Sequence, residues 1–246
     1  MRADVFLVEQ GYAKSRSEAQ AAIAAGGVLA DGKPVAKSSQ ALTSAAQIEY
    51  RPAHPYVSRG GVKLAAALDA FALSPAGLVC LDLGASTGGF TQVLLQRGAQ
   101  KIFAVDVGRG QLDAELAQHP RVTVLEHRNA RDLQPDEIAP APQAIVADLS
   151  FISLKLVLPP AMDMAAPNAW LVALFKPQFE VGRNKIGKGG IVKEDAARTD
   201  ALRGFVHWLG AQAGWHAAVP AFIDSPVLGG DGNREFLVAA CKSGAP

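Results

Sequence analysis

The fold of this chain is decided by the stretch Leu78-Val79-Cys80-Leu81-Asp82-Leu83-Gly84-Ala85-Ser86-Thr87-Gly88-Gly89-Phe90. It opens with a short apolar run, which is typical of a buried β-strand, and continues as a turn that contains three glycines. The run Thr91-Gln92-Val93-Leu94-Leu95 follows and has the pattern of the first turns of a helix. A buried strand that passes through a tight turn into a helix predicts a parallel α/β sheet.

The rest of the chain after Leu78 repeats this alternation of short apolar runs and helical patterns. The predicted strands cover residues 78–82, 102–106, 122–125, 144–148, 170–175, 217–223 and 235–241. Long connections between the early strands require crossovers, so we expect a mostly parallel sheet with helices on both faces and an antiparallel pair at the end. Such a doubly wound α/β domain places its site beyond the carboxyl ends of its strands.

The glycine turn is a candidate ligand site. Glycine tolerates positive φ and lets a ligand approach bare backbone, and the N–H groups that open the next helix remain free to bind an electron-rich group. Asp106 ends the next apolar run, where its carboxylate could bind ribose hydroxyls. The spacing is not G-x-G-x-x-G, because Ala85-Ser86-Thr87 separates the first glycine from the pair. An ordinary tight turn is the alternative.

The turn resembles the cofactor loop of class I, Rossmann-like methyltransferases, which implies S-adenosyl-L-methionine as the cofactor. Asn129-Ala130 follows the third predicted strand and could reach the adenine ring, with a plain polar turn as the alternative. The residues that this resemblance places at the cofactor are Asp82, Gly84, Ala85, Ser86, Thr87, Gly88, Gly89, Phe90, Asp106, Val107, Asn129, Ala130 and Asp148.

Two charged residues end neighbouring predicted strands. Asp148 stands where the fourth apolar run stops, and Lys176 has the equivalent place after the fifth. One such charge is often only solvated, but two that face one crevice indicate a site. An alcohol is a poor acid, so a lysine that takes its proton or stabilises its alkoxide, oriented by a carboxylate, suits a hydroxyl acceptor. An Asn-Pro-Pro-Tyr motif for amino acceptors is absent, and Cys80 and Cys241 lie in apolar runs rather than at strand ends.

Residues 1 to about 50 are predicted to form a separate unit with the order helix, helix, hairpin, strand. Ser15 and Ser17 are both candidate caps between the helices, and Asp31-Gly32 is a hairpin-turn dipeptide. Ile48-Glu49-Tyr50 gives the last strand. Two prolines make residues 51–59 a predicted linker to a second domain that covers residues 60–246.

This first unit resembles the S4 domain, a small α+β RNA-binding domain. The match lies in Arg2-Ala3-Asp4 with Leu7, in Gly11-Tyr12-Ala13-Lys14-Ser15-Arg16-Ser17-Glu18-Ala19, and in Ile23, Gly26, Val28, Asp31-Gly32-Lys33 and Val35. The resemblance implies that Arg2, Lys14, Arg16 and Lys33 face structured RNA. Residues 1–59 carry seven cations and five acids. Because this balance is only weakly basic, we expect the unit to tune the placement of RNA rather than supply most of the affinity.

The second domain resembles the FtsJ-like ribose 2′-O-methyltransferases, whose Lys-Asp-Lys-Glu tetrad is matched by Lys63, Asp148, Lys176 and Glu235. Joined to an S4 domain, it resembles the TlyA (hemolysin A) family of ribosomal RNA methyltransferases. The matching motifs cover residues 56–64, 82–90, 148–153, 176–180 and 229–237. The resemblance implies methylation of cytidine 2′-hydroxyls in ribosomal RNA or ribosomal subunits.

In detail, the resemblance implies that Lys176 deprotonates or stabilises the 2′-oxygen and that Asp148 orients Lys176. Lys63 and Glu235 would position the ribose; a solvated first-turn lysine is the alternative for Lys63. From Gly182 to Lys193 the chain is basic and has no acid. The resemblance makes this segment a mobile flap over RNA, whereas composition alone favours a solvated loop. The resemblance implies that Arg183, Lys185 and Lys188 of this segment bind RNA, and that Arg59 does so as well.

Composition limits the other classes of function. The chain is 49% hydrophobic and 19% charged with a net charge of +1, which suits a packed core. With no apolar run of about eighteen residues and no signal-peptide start, we expect a soluble, cytoplasmic protein without membrane contact. The two cysteines predict reduced core residues, and the five histidines have no ligand spacing, so no metal is expected. A non-catalytic RNA-binding assembly factor and a membrane-active hemolysin remain as alternatives.

Overall fold

The computed structural model describes residues 1–182, 185–229 and 232–244. The chain divides into two compact units, Met1–Pro55 and Tyr56–Pro246. The division falls within the predicted linker, residues 51–59. The last residue of that linker, Arg59, already belongs to the first helix of the second unit.

The first unit has two helices and a three-stranded antiparallel sheet with its strands in the order β2-β1-β3. The elements are α1 (Ala3–Glu9), α2 (Arg16–Ala24), β1 (Val28–Ala30), β2 (Lys33–Pro34) and β3 (Ile48–Tyr50). Ser15, rather than Ser17, caps α2, because its hydroxyl accepts a hydrogen bond of 3.2 Å from the backbone N–H of Glu18. Asp31 and Gly32 have φ values of 52° and 71° and form the two-residue hairpin turn between β1 and β2.

The second unit is built on a seven-stranded sheet in the order β6-β5-β4-β7-β8-β10-β9. Its strands are β4 (Val79–Leu83), β5 (Lys101–Val105), β6 (Val122–Leu125), β7 (Ala144–Ala147), β8 (Trp170–Phe175), β9 (Trp215–Asp224) and β10 (Phe236–Lys242). The first five pair in parallel, and β10 runs antiparallel to both β8 and β9. The predicted α/β class and the seven predicted strands are confirmed, each strand to within two residues.

Helices cover both faces of this sheet. They are α3 (Arg59–Ala70), α4 (Gly89–Gln96), α5 (Ala114–Ala117), α6 (Leu154–Met164), α7 (Pro177–Glu180) and α8 (Asp195–Gly210). Leu81 points into a core with α6 and α8, whereas its neighbour Cys80 points into a second core with α3 and α4. The central strand β4 is therefore buried along its whole length, which explains its unbroken apolar run.

The topology also fixes where a ligand can bind. From β4 the chain builds the sheet outward through β5 and β6, and then returns to add β7 on the other side of β4. The strand order reverses between β4 and β7, and a crevice opens there at the carboxyl ends of the strands. The glycine turn and Asp148 follow those two strands directly.

Candidate active site

The glycine turn packs tightly against the end of β7. Gly84 has a φ of 82°, and a Cβ at this position would lie 2.4 Å from the carbonyl oxygen of Asp148. Gly88 has a φ of 97° and directly precedes α4, where a Cβ would lie 2.4 Å from the side chain of Leu116. Both positions therefore need glycine, because a side chain would meet strained backbone and occupied space.

Asp106 connects this turn to the loop after β5. Its Oδ2 accepts a hydrogen bond of 2.8 Å from the backbone N–H of Ser86, and its Oδ1 accepts one of 2.7 Å from that of Gly108. A carboxylate oxygen can accept a second hydrogen bond, so Asp106 can still bind hydroxyl groups. The acid thus shapes the turn and faces the crevice together with it.

A cavity of about 560 Å³ lies over the turn, which is within the range of small-molecule sites. Seven predicted cofactor residues line it, namely Gly84, Ser86, Asp106, Val107, Asn129, Ala130 and Asp148. Asn129 also caps the 3-10 turn Ala130–Asp132, because its Oδ1 accepts a hydrogen bond of 3.1 Å from the backbone N–H of Arg131. It has the local role of a polar turn residue and also faces the cavity.

The other predicted cofactor residues lie elsewhere. A smaller cavity of about 210 Å³, shared with Lys176, is lined by Ala85, Thr87, Gly89 and Phe90. As the described residues define them, neither cavity is lined by Asp82 or Gly88. These two residues support the turn from within.

Asp82 is fully buried beneath the turn. Its Oδ2 accepts a hydrogen bond of 2.6 Å from the hydroxyl of Thr91 on α4, and its Oδ1 has no partner among the described residues. Burial, together with the negative charges of Asp148 and Asp106, raises the pKa of Asp82 to about 7. The residue therefore titrates near neutral pH, although it lies away from the cavity.

The four tetrad positions form two ion pairs. Lys176 Nζ lies 2.7 Å from Asp148 Oδ1 and donates a hydrogen bond of 2.8 Å to Ser150 Oγ. Lys63 Nζ lies 2.5 Å from Glu235 Oε2, and these two side chains are only 8% and 3% exposed. A solvated Lys63 is therefore wrong, because its ammonium group is buried against a carboxylate.

Close packing of glycines brings these elements together. A Cβ at Gly60, in the first turn of α3, would lie 3.7 Å from Asp148 Oδ2, and a Cβ at Gly89 would lie 2.9 Å from the backbone nitrogen of Gly61. A Cβ at Gly229 would lie 2.5 Å from Glu235 Oε1. A side chain would clash at Gly89 and at Gly229, whereas the distance at Gly60 is an ordinary van der Waals contact.

A second cavity has a volume of about 770 Å³ and includes Lys176 in its lining. Lys176 and Glu235 line it together with apolar side chains, which include Phe151, Leu156, Phe179, Val181 and Ile186. It shares residues 150–152 with the cavity over the glycine turn. Two ligands, one from each cavity, can therefore meet at residues 150–152, where Ser150 accepts the hydrogen bond from Lys176.

Phe151 stands between the two cavities and has no predicted role. Its side chain is 91% exposed, its φ is 66°, and its ring centroid lies 5.1 Å from that of Phe179. An exposed aromatic ring on strained backbone is typical of a binding residue. Phe151 follows Asp148, which ends a predicted strand, and this position could have indicated a role from the sequence.

The predicted basic segment is only partly described. Arg183 lies outside the described residues, as does the side chain of Lys188, and Lys185 is exposed. The buried Asn233, which was not predicted, holds this segment: its Nδ2 donates to the carbonyl of Gly190 and its Oδ1 accepts from the N–H of Val192, both at 3.1 Å. Arg59 donates a hydrogen bond of 3.3 Å to the carbonyl of Leu228.

In the first unit, the structure brings two of the predicted RNA-binding cations together. Arg2 and Arg16 both form ion pairs with the buried Asp4, whereas Lys33 is exposed on β2 and Lys14 is exposed just before α2. Asp4 stands inside the Arg-Ala-Asp motif, and no role was predicted for it. A buried acid within a basic motif is the signal that could have indicated one.

Other chemistry finds little support among the described residues. Burial raises the pKa of Cys80 to about 12, so its thiol is a poor nucleophile. In the described ranges, no group of three or more His, Cys, Asp or Glu side chains could hold a metal ion. Within the same ranges, no helix is long and apolar enough to cross a membrane.

The switch-point crevice, its glycine turn and the lysine–carboxylate pair beside it define a Rossmann-like methyltransferase. The family model for FtsJ-like methyltransferases matches residues 56–242, and the S4 domain model matches residues 1–48. The chain belongs to the TlyA family of S4-domain-containing, FtsJ-like methyltransferases.

Three similar proteins support this assignment. The 16S/23S rRNA (cytidine-2'-O)-methyltransferase TlyA of Mycobacterium tuberculosis is 45% identical over 96% of this chain and 88% of its own. Hemolysin A of Brachyspira hyodysenteriae is 38% identical over 96% of this chain and 98% of its own. A solved structure of a candidate hemolysin from Streptococcus thermophilus has a TM-score of 0.78 at 37% identity and covers all of this chain and 90% of its own.

Proposed function

We propose that this protein transfers a methyl group from S-adenosyl-L-methionine to the 2′-hydroxyl of a cytidine in ribosomal RNA. The observation that carries the proposal is the position of Lys176, held between Asp148 and Ser150 where the two cavities meet. The TlyA relative is named for this reaction, which agrees with the residues found here. S-adenosyl-L-methionine, when bound, supplies an electrophilic methyl group on its sulfonium.

The cavity over the glycine turn fits this cofactor. Asp106 has acceptor capacity left for ribose hydroxyls, Asn129 and Ala130 line the far side for an adenine ring, and Gly84 leaves bare backbone for close approach. The apolar walls at Leu149, Ile152 and Val157 suit the ring faces.

The acceptor ribose enters from the second cavity. Lys176 lines this cavity, and its amino group either takes the proton of the 2′-hydroxyl or stabilises the oxygen that has lost it. Asp148 orients Lys176 through the 2.7 Å ion pair, and Glu235 lines the same cavity while Lys63 neutralises its charge. The exposed ring of Phe151 offers a stacking surface to the base.

RNA contacts extend beyond the site. We infer that Arg2, Lys14, Arg16 and Lys33 of the S4 unit, with Arg59 and the segment of Arg183, Lys185 and Lys188, bind phosphates. Converting Arg183, Lys185 and Lys188 together to alanine weakens binding to ribosomal RNA and reduces its salt dependence. Unchanged binding by this triple variant would remove the segment from the interface.

Transfer of labelled methyl from S-adenosyl-L-methionine to 16S or 23S rRNA, or to intact subunits, tests the proposal. Label that depends on Lys176 supports it. An absence of label on every RNA, with cofactor binding intact, would favour an RNA-binding assembly factor instead.

A further inference from the structure

Asp4 is a buried carboxylate at the centre of a hydrogen-bond network in the first unit. Its side chain is 0% exposed. Its Oδ1 accepts from Arg2 Nε at 3.0 Å and from the N–H of Val5 at 3.1 Å, and its Oδ2 accepts from Arg16 Nη2 at 3.0 Å and from Gln20 Nε2 at 2.8 Å. The guanidinium of Arg2, with the bonds from Gln20 and Arg16, holds the pKa of Asp4 well below its usual range. The carboxylate therefore stays charged.

The two arginines on Asp4 remain open to solvent. Their side chains are 51% exposed for Arg2 and 58% exposed for Arg16. Arg2 Nη2 also bonds Oδ2, at 3.1 Å, so the two Nη2 atoms are at most about 6 Å apart. Within the described part of the chain, Nη1 of each arginine has no hydrogen-bond partner. Arg2 is thus held along its Nε–Nη2 edge and Arg16 through Nη2 alone, and each guanidinium keeps donors for a ligand.

This arrangement exceeds what is needed to join two helices. The hydrogen bond from Gln20 would by itself join α2 to Asp4 on α1, and the additional ion pairs with half-exposed arginines add little stability. Two cations on one acid leave a net positive charge at the surface. Planar guanidinium groups are suited to binding an anion such as phosphate, since they bind phosphate oxygens in a bidentate manner.

We propose that Asp4 is a positioning residue that holds Arg2 and Arg16 as a clamp for a phosphate of the RNA backbone. This rests on the proposed function, because RNA is the substrate assigned to the catalytic unit. Fixing both side chains before binding reduces the conformational entropy that binding would otherwise cost. Asp4 acts through the arginines and is too buried to touch the RNA itself.

The variant Asp4→Asn separates positioning from simple charge. It removes a negative charge, so electrostatics alone predicts equal or tighter RNA binding. The clamp predicts the opposite, a Kd about 10-fold higher, as for Arg2→Ala or Arg16→Ala, since lost contacts to charged groups are of that size. Glu9→Gln is the matched control, because Glu9 is exposed on the same helix and its loss changes the charge equally.

The measurement is binding of the full chain to in vitro transcribed 16S and 23S rRNA over a series of KCl concentrations. Arg2→Ala and Arg16→Ala each reduce the slope of log K against log salt by up to about 0.9. Asp4→Asn also reduces this slope, although the variant has a higher net positive charge than the wild type. The KM of the variant for RNA rises by the same factor as its Kd. If Asp4→Asn binds as well as wild type or Glu9→Gln, the clamp is wrong.

Two checks keep the outcome decisive. If thermal unfolding shows that Asp4→Asn does not fold, Arg16→Lys carries the test: it keeps the charge but loses the planar fork, and unchanged binding overturns the clamp. Wild-type methyl transfer to the same RNA is measured in parallel. A wild type that transfers no methyl contradicts the proposed function, whereas an active wild type with an equally tight Asp4→Asn contradicts only the clamp.

Discussion

Glu235 lies across from Lys176 at the end of the antiparallel β8–β10 pair, yet it forms its ion pair with Lys63. The last register pair is Phe175 with Phe236, so the next residues outward are Lys176 and Glu235. The 2.5 Å bond instead connects Glu235 to a helix 172 residues earlier in the chain. Each of the two lysines thus has its own carboxylate, and both pairs border one site.

Loss of the Lys176 amino group is expected to abolish transfer. Lys176→Ala removes the group that receives or stabilises charge at the 2′-oxygen, so we expect activity to fall at least about 100-fold. Affinity for S-adenosyl-L-methionine, measured by calorimetry, stays within a few-fold. Lys155→Ala is the control, because Lys155 lies on α6 and lines neither large cavity. Parallel loss of activity and cofactor affinity would assign Lys176 to folding or cofactor binding.

The buried Lys63–Glu235 pair is expected to affect stability strongly. Lys63→Met leaves the carboxylate of Glu235 buried without a partner, and Glu235→Gln does the same to the ammonium group of Lys63. Either single substitution lowers the free energy of unfolding by about 3–5 kcal/mol. The double variant costs less than the two single costs together, which denaturant unfolding measures as a coupling free energy. Arg234→Gln breaks the exposed pair with Asp224 and changes stability by at most about 1 kcal/mol. Additive costs for Lys63 and Glu235 would contradict the coupling.

Asp82 is expected to make stability depend on pH. Its folded pKa of about 7 lies above its unfolded value, so its contribution is fully present at acidic pH and is lost as pH rises through 7. Asp82→Asn cannot ionise, and its stability relative to wild type therefore increases between about pH 4 and pH 7. Thermal unfolding of both proteins across this range measures the difference. A difference that stays constant with pH would show that Asp82 is not perturbed.

The exposed ring of Phe151 is expected to contribute to acceptor binding. Stacking of a base on an aromatic side chain contributes about 1–3 kcal/mol, so Phe151→Ala raises the KM for RNA about 10-fold. Leu156→Ala is the matched control, because Leu156 is a 61% exposed apolar residue that lines the same cavity without an aromatic ring. Steady-state kinetics at saturating cofactor compares the two. Equal effects would indicate general apolar contact rather than stacking.

The sheet could be predicted because its strands are buried on both faces. The run before Asp82 is apolar throughout, and the acid at its end marks where the strand leaves the core. The same pattern predicts Asp106, Asp148 and Lys176, each of which follows an apolar run. Each of them borders a cavity at the carboxyl edge of the sheet.

Contacts between distant segments could not be predicted from these local patterns. Lys63 is buried against Glu235, which lies 172 residues later in the chain, and apolar periodicity does not show that these two residues meet. The hydrogen bonds of Asn233 to Gly190 and Val192 link two loops that have no regular sequence pattern. The motif places Asp82 at the cofactor, whereas its burial places it beneath the turn.

Methyl transfer to a ribose 2′-oxygen can be recognised from the chemistry of the RNA product. Ribosomal RNA labelled by this protein from S-adenosyl-L-methionine is hydrolysed in alkali, which cleaves next to a free 2′-hydroxyl but not next to a methylated one. We predict label in alkali-resistant dinucleotides that contain cytidine, and none with Lys176→Ala. Label recovered in ordinary mononucleotides would place the methyl group on a base and contradict the roles assigned to Lys176 and Asp148.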